Sequence, residues 1–445
     1  MRAVKYESVR VDGRRRFQHI DGFGVNINSK YWHNGSLQPV VDRLIDDLGA
    51  RLFRVDVFGK SNWVDPDGQG DHTILADSLF ERIYTNEVFS QGWQMMRHLN
   101  SRGIEPYLTA SGNVPAWMLA KDGKTLSDYD SFTEMMTSFA GWAKKRENLR
   151  FHLFGPLNET DIGSPEGPSL APEGYTDVLR RLVAAFDAAG LSDVRFVVAE
   201  QARLNTDYAR TLLADPLLRQ RIEVIGVHTY LDYAESDYRA VAEFAGSSGS
   251  GLPHVWMTEY GDLDESGERE WYVAWVSTRR LLTLLSAGFH GALVWDAYDN
   301  YHDHDAAWTL YGLLRMGRNI YTPKKRYYAA KQVYRFVHPG FVRVGTVLES
   351  DSCLKCLSFA DSASTEVTIV GQNESVEPVI VDIELEGFDA SLDMRSVAFY
   401  LTTETDDCAS LGRVPVRTKH YPLDHISVEL PARSIFTLTS LGIDG

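Results

Sequence analysis

Cysteine is scarce, three residues in a chain of 445, too few for a disulfide framework. Cys353 and Cys356 do form a CxxC. CLKCLSFA reads as a strand, however, where side chains three apart point to opposite faces and share neither a zinc ion nor an easy disulfide. Long apolar runs are also missing. No stretch approaches the length needed to cross a bilayer, and the opening MRAVKYESVRVDGRRRF lacks the apolar core of a secretory signal. The expectation is a cytoplasmic chain as given, or a secreted one if a signal has been removed. Positive charge is in deficit, with Lys+Arg 45 against Asp+Glu 61 and a formal net charge of -16. That excess disfavours nucleic acid and anionic membrane surfaces as partners and leaves a neutral ligand as the easier fit. There is no P-loop and no GxSxG elbow, and GFGVNI fails the dinucleotide fingerprint because Ile27 stands where a third glycine belongs.

What is present is an ordinary globular composition, 44% hydrophobic and 24% charged, at a length that suits a barrel of roughly 250 to 300 residues plus a smaller domain. From residue 19 to about 335, apolar β-rich runs alternate with segments of helical period. Eight runs are counted: IDGFGVNIN from Ile20, LFRVDVFG to Gly59, GIEPYLTASG to Gly112, FHLFGPLNE to Glu159, VRFVVAEQ to Gln201, IEVIGVHTY to Tyr230, HVWMTEYGD to Asp262 and GALVWDAYDN to Asn300. The clearest crossover helix starts at Pro172 and sets Tyr175, Val178, Leu179, Leu182, Val183 and Phe186 on one face before Gly190. This pattern predicts an α/β fold, a (β/α)₈ TIM barrel, although a doubly wound open sheet gives a similar alternation.

After Pro339 the texture changes to short β-branched runs, FVRVGTV, CLKCLSFA, STEVTIVGQN, VEPVIVDIEL, RSVAFYLTT and RSIFTLTSLG, which predict an appended C-terminal β-sandwich domain. The opening strand AVKYESVRV has no barrel position to fill and is expected to pair with that sandwich. The division is therefore 1–17 with the sandwich, 18–337 as the barrel and 338–445 as the sandwich itself. GSSGSG at 246–251 reads as a loop before the seventh barrel strand.

Working groups of such a barrel sit at the C-terminal ends of its strands. Polar residues collect there: Asn26 on the first, Arg54 and Asp56 on the second, Asn158 and Glu159 on the fourth, Glu200 on the fifth, His228 and Tyr230 on the sixth, Glu259 on the seventh, Trp295 and Asp296 on the eighth. Two carboxylates facing one cavity, Glu159 and Glu259, supply what glycoside hydrolysis needs, one to protonate the leaving oxygen and one to attack the anomeric carbon or activate water. A single Glu at a loop start is more often just solvated. The pair is what points to chemistry. Trp295 is the best sugar-stacking candidate, and Trp32, Trp63, Trp117 and Trp308 lie in predicted loops, where one or two are expected to touch sugar. His302, Asp303, His304 and Asp305 superficially offer metal ligands, but their spacing is poor, so a polar substrate-facing loop is the preferred reading and no metal is expected.

FGPLNE and VWMTEYGD resemble the acid/base and nucleophile strands of clan A of the glycoside hydrolases. QHIDGFGVNIN and YYAAKQVYRFVHPGFVRV, with the terminal sandwich, more narrowly resemble glycoside hydrolase family 30, with families 5, 39 and 79 as alternatives. The resemblance covers essentially the whole chain. It implies a retaining double displacement with Glu259 as nucleophile and Glu159 as general acid/base, no cofactor, and a carbohydrate partner. It further implies that Asn158 meets the sugar 2-hydroxyl, and Arg54 and Tyr230 are expected beside Glu259. His228, Asn26, Trp295 and Trp117 complete the expected substrate-binding set, while Glu200 is left without a catalytic part. Thr160 departs from the NEP ending of many relatives. Substrate is read no further than β-linked and neutral, either a glycoside or an endo-cleaved hemicellulose, β-glucan or galactan. The reading from another class is a non-catalytic carbohydrate-binding protein on a retired barrel.

Overall fold

The computed structural model describes residues 5–57, 77–246, 253–263, 267, 269–302, 306–317, 320–388, 395–420 and 423–442. A first strand, β1 (Lys5–His19), precedes eight parallel strands: β2 (Gly22–Asn28), β3 (Leu52–Asp56), β4 (Tyr107–Thr109), β5 (Leu153–Gly155), β6 (Arg195–Gln201), β7 (Ile222–Thr229), β8 (His254–Tyr260) and β9 (Gly291–Val294). Each pairs with its successor, and Gly22 to Val25 of β2 pair with Gly291 to Val294 of β9, which closes the barrel and excludes the open sheet. Most strands stop earlier than their sequence runs. β5 ends at Gly155 and β9 at Val294, so Glu159 and Trp295 stand on loops just beyond.

The crossover helix Pro172–Ala188 starts with Pro at its first turn, and Tyr175, Val178, Leu179, Leu182 and Phe186 are buried, the i, i+3, i+4 stripe that an outer helix turns toward the barrel. Val183 is only partly buried. The GSSGSG stretch follows the helix Glu235–Gly246 and, past Gly246, lies outside the described residues. No described helix is long and apolar enough to cross a membrane.

Inside the barrel, Tyr107, Leu153, Val197, Val224, Trp256 and Leu293, one from each of six neighbouring strands, form a separate apolar cluster with Leu52. This plug fills the lower barrel and leaves the strand ends above it for polar groups. Gly155 makes room for it: a Cβ there would stand 2.0 Å from the Tyr107 hydroxyl, and the Arg54 guanidinium lies 5.8 Å from the centre of the Tyr107 ring. Gly155→Ala is therefore expected to lower stability by about 2 to 3 kcal/mol in a denaturant titration, with turnover falling in parallel as Arg54 is displaced.

Beyond the barrel come two small hairpins, β10 (Asn300–His302) with β11 (Ala307–Thr309) and β12 (Leu314–Gly317) with β13 (Ile320–Pro323). Then follow β14 (Val342–Leu348), β15 (Leu354–Ala360), β16 (Val367–Asn373), β17 (Val379–Glu386), β18 (Ser396–Thr402), β19 (Ala409–Pro415), β20 (Arg417–His420), β21 (Leu423–Leu430) and β22 (Ser434–Thr439). These nine and β1 make one continuous sheet in the order β19-β18-β22-β16-β15-β14-β1-β17-β21-β20. The sheet folds over on itself, since β19 lies against β21 from the far side of the order and Val9, Ile369, Ile383, Phe399, Ile426 and Leu438 share one core. The sandwich is thus a single bent sheet. It meets the barrel through the helix Lys325–Tyr334, where Gln332 donates to Thr402 at 2.9 Å and accepts from Thr437 at 2.6 Å. Cys353 is half-buried and precedes β15, Cys356 is buried within it, and both are free thiols.

Candidate active site

An arginine, a histidine and three glutamates meet above the plug, one each from β3, β6, β7 and β8 and one from the loop after β5. Arg54, wholly buried, donates from Nη1 to Glu259 and to Asn26 Oδ1 (2.9 Å), and from Nη2 to Asn158 Oδ1 (2.7 Å), with Glu200 Oε2 at 3.2 Å. His228 is equally buried. Its Nδ1 lies 2.6 Å from Glu159 Oε1 and 3.5 Å from Glu259 Oε2, and its Nε2 lies 2.8 Å from Glu200 Oε2. The Tyr230 hydroxyl donates to Glu259 Oε2 at 2.5 Å. Glu159 takes a left-handed backbone, φ 43°, and its N–H donates to the Glu200 carbonyl at 2.9 Å, tying its loop to β6. Gly226 clears space for Glu200, because a Cβ there would stand 2.2 Å from Glu200 Oε1.

The electrostatics separate Glu159 from Glu200. Burial raises the carboxyls of Glu159 and Glu200, but Arg54 and His228 outweigh it at Glu200 and hold that carboxyl below its ordinary range. At Glu159 burial wins, helped by the charge of Glu259 against the contact with His228, so its carboxyl is raised. Burial opposes a charge on His228, yet Glu259, Glu159 and Glu200 together push its pKa up to about 10. Both ring nitrogens then carry protons and donate to carboxylates. Glu159, His228 and Glu259 are close enough to share a divalent ion, all three ligand atoms lying within 4.8 Å of one another. An ion held there would have to displace the His228 proton first.

Glu159 and Glu259 form the floor of a cleft of about 520 Å³ with Asn26, Asp56, Asn158, Tyr230, Trp295 and Asp296. Asp56 is buried and accepts from the Ser111 N–H at 3.0 Å and from its hydroxyl. Asp296 is pushed up to about 8 by burial, with Glu259 and Asp299 adding to the shift and hydrogen bonds from Ala297 and Asn300 opposing it.

The sequence expectations sort clearly against this geometry. Glu159, Glu259, Asn158, Tyr230, Trp295 and Asn26 come together on the cleft. Asn26 is nonetheless occupied, its amide donating to the carbonyls of Thr258 and Val294 at 2.9 and 3.3 Å while its oxygen receives Arg54. Arg54 stands beside Glu259 as expected, but neither it nor His228, both placed in the substrate-binding set, has exposed surface; Arg54 reaches Glu259, Glu200, Asn26 and Asn158 and His228 reaches Glu159 and Glu200, so both act on the carboxylates from behind. Trp117 is half-buried against the barrel core and outside the cleft wall, and Trp32 packs in that core. Trp308 is exposed on β11. Trp63, Asp303, His304 and Asp305 lie outside the described residues. His302 stands in the cleft wall. Ser111, Glu166, Asn300 and Tyr311 also line the cleft and were not singled out from sequence, since a serine, a loop acid or a hairpin residue carries no periodic signal.

No protein-family model matches this chain, and no curated protein matches it. Solved structures do. The fold is similar to that of a glycoside hydrolase family 30 endoxylanase from Clostridium papyrosolvens, at TM-score 0.74 and 18% identity over 97% of this chain and 99% of that one. It is also similar to an endo-β1,6-glucanase, at TM-score 0.69 and 17% identity over 98% and 95%. A glycoside hydrolase family 39 enzyme from Xanthomonas axonopodis pv. citri follows at TM-score 0.65 and 14% identity over 99% and 98%. At these identities the likeness establishes a shared architecture, a TIM barrel with an appended β-rich unit, over nearly the full length of each chain.

Proposed function

We propose that this protein is a retaining β-glycoside hydrolase acting on neutral, β-linked sugars, with Glu259 as nucleophile and Glu159 as general acid/base. The observation that carries the reading is the separation of the two carboxylates, whose facing oxygens lie within 4.8 Å across the cleft floor. That gap is in keeping with the short carboxyl separation of retaining enzymes rather than the wider one of inverting enzymes.

Charge balance supplies the protonation states. Arg54 and protonated His228 are two buried cations against Glu159, Glu200 and Glu259, with Asp56 and Asp296 adding further buried carboxyls nearby, so the carboxyls outnumber the cations and at least one keeps its proton. Glu200 is held ionised and Glu259 is engaged by Arg54 and Tyr230, which leaves the proton on Glu159, the one whose carboxyl is raised. His228 donates to Glu159 Oε1, and Oε2 keeps its proton for the leaving oxygen. When Glu259 becomes a neutral ester, two cations face Glu200 alone and Glu159 gives up its proton, which makes it the base for water in the second step. In the same reading the barrel, 18–337, is the catalytic unit, and 338–445 with 1–17 brace it.

The stereochemical course tests the proposal. Proton NMR of an aryl β-glycoside digest is expected to show the β-anomer of the free sugar first, with the α-anomer growing in only at the rate of mutarotation. EDTA is expected to leave the rate unchanged. An α-anomer formed first refutes the two-glutamate displacement, and inactivation by EDTA reversed by zinc refutes the metal-free reading. Oligosaccharide binding with no turnover favours a retired barrel.

A further inference from the structure

The cleft has two chemically different levels. Its floor is carboxylates, amides and phenol; toward its mouth, among the described residues, stand exposed apolar side chains. Val88, Ile162, Leu263 and Tyr301 all line the cleft and are 41%, 46%, 44% and 37% exposed. They come from four separate stretches: the start of the helix Glu87–Ser101, the loop after β5, the loop after β8, and β10. Apolar side chains gathered around one opening from unrelated parts of the chain mark a ligand surface.

The kind of ligand follows from what these groups lack. Valine, isoleucine and leucine offer neither hydrogen-bond partners nor a flat π face, so a second sugar resting on them strips water from hydroxyls without replacing it. Tyr301 is the one ring of the four, and Lys30 Nζ sits 5.0 Å from its centre while donating to its carbonyl at 3.2 Å. Polar neighbours are used internally. Asn28 donates to Asn300 at 3.1 Å, and Gln91 accepts from the His33 N–H at 3.4 Å. An anionic ligand is disfavoured by Asp56, Glu166 and Glu259 in the same wall.

We propose that the substrate is a small glycoside with an apolar aryl or alkyl aglycone, one sugar on the polar floor and the aglycone against Val88, Ile162, Leu263 and Tyr301. This rests on the hydrolase reading and narrows it away from cleavage within a polysaccharide. The test compares methyl, butyl and octyl β-glucosides and β-xylosides with gentiotriose and xylotriose, alongside the 4-nitrophenyl glycosides of both sugars. Each fully buried methylene is worth about fourfold. For the sugar accepted, kcat/KM is therefore expected to rise at least about tenfold from methyl to octyl and to exceed that for the trisaccharide. Ile162→Ser and Leu263→Ser, on exposed side chains that folding does not need, are each expected to cut the octyl-to-methyl ratio about fourfold or more. A ratio unchanged by both substitutions, a flat alkyl series, or a trisaccharide preferred over the octyl glycoside overturns the proposal while leaving the hydrolase reading intact. No turnover of any 4-nitrophenyl glycoside overturns both.

Discussion

Glu259→Ala is expected to lower kcat/KM on aryl β-glycosides by on the order of 10⁵-fold, and sodium azide is expected to restore turnover with an α-glycosyl azide as product. The size follows from position. Glu259 receives Arg54 at one oxygen and Tyr230 at the other, so its attack geometry is fixed before substrate arrives, and the truncation removes both the nucleophile and that pre-organisation. Azide fits the vacated space and attacks from the same face. That inverts the anomeric centre once, where two inversions normally cancel. Glu159→Ala is expected to behave oppositely, losing little on activated aryl glycosides and yielding a β-glycosyl azide, because azide then replaces water in the second step. The two product configurations, read by NMR, assign the residues independently of rate. Full activity of Glu259→Ala, or of Glu159→Ala on an alkyl glycoside whose leaving oxygen must be protonated, removes that residue from the mechanism, and a β-azide from Glu259→Ala reverses the two roles.

Much of this arrangement was legible in the chain because strand ends announce themselves. Glu259 and His228 each terminate an apolar run whose burial is dictated by the barrel, and the alternation of runs and helical segments placed them on one rim. What sequence alone could not express is direction. Arg54 lies beside Glu259 as the chain implies, but it and His228 share that rim without facing the cleft: Arg54 turns inward to Glu259, Glu200, Asn26 and Asn158, and His228 to Glu159 and Glu200. Glu200, assigned no catalytic part, is the counter-charge of both cations. The tryptophans misled for a related reason: an indole in a predicted loop has no sequence mark separating Trp295, in the cleft, from Trp32, in the core. In the second unit β19, β20 and β21 were not named, since β19 is largely exposed, carries Gly412 and Arg413 and ends on Pro415, leaving no alternation to read.

Glu200 balances the charge of both buried cations. It has no exposed surface and is outside the cleft wall, so it acts only through its neighbours, as a positioning residue. The groups facing it and its partners are Arg54 and Asp56 on β3, Tyr107 on β4, Tyr175 on the helix Pro172–Ala188, His228 on β7 with Tyr230 just beyond it, Thr258 and Glu259 on β8, and Glu159 with Asp161 on the loop after β5. Glu200→Gln keeps the shape and removes one anion, and the cluster then sheds a proton. If His228 loses it, Nδ1 becomes an acceptor and draws the Glu159 proton away from the leaving group. If Glu159 loses it, there is no acid at all. Either way kcat/KM at pH 7 for an alkyl glycoside, whose leaving oxygen must be protonated, is expected to fall about 100-fold, with the alkaline limb of its pH profile moved to lower pH. The dinitrophenyl glycoside of the same sugar leaves without protonation, so its kcat/KM is expected to stay within a few-fold and its profile unshifted. The variant also loses stability, about 3 kcal/mol from a broken buried ion pair, but a folding defect lowers both substrates equally. Equal losses on the two leaving groups would therefore reduce Glu200 to a structural anchor and leave the proton on Glu159 to be explained by burial alone.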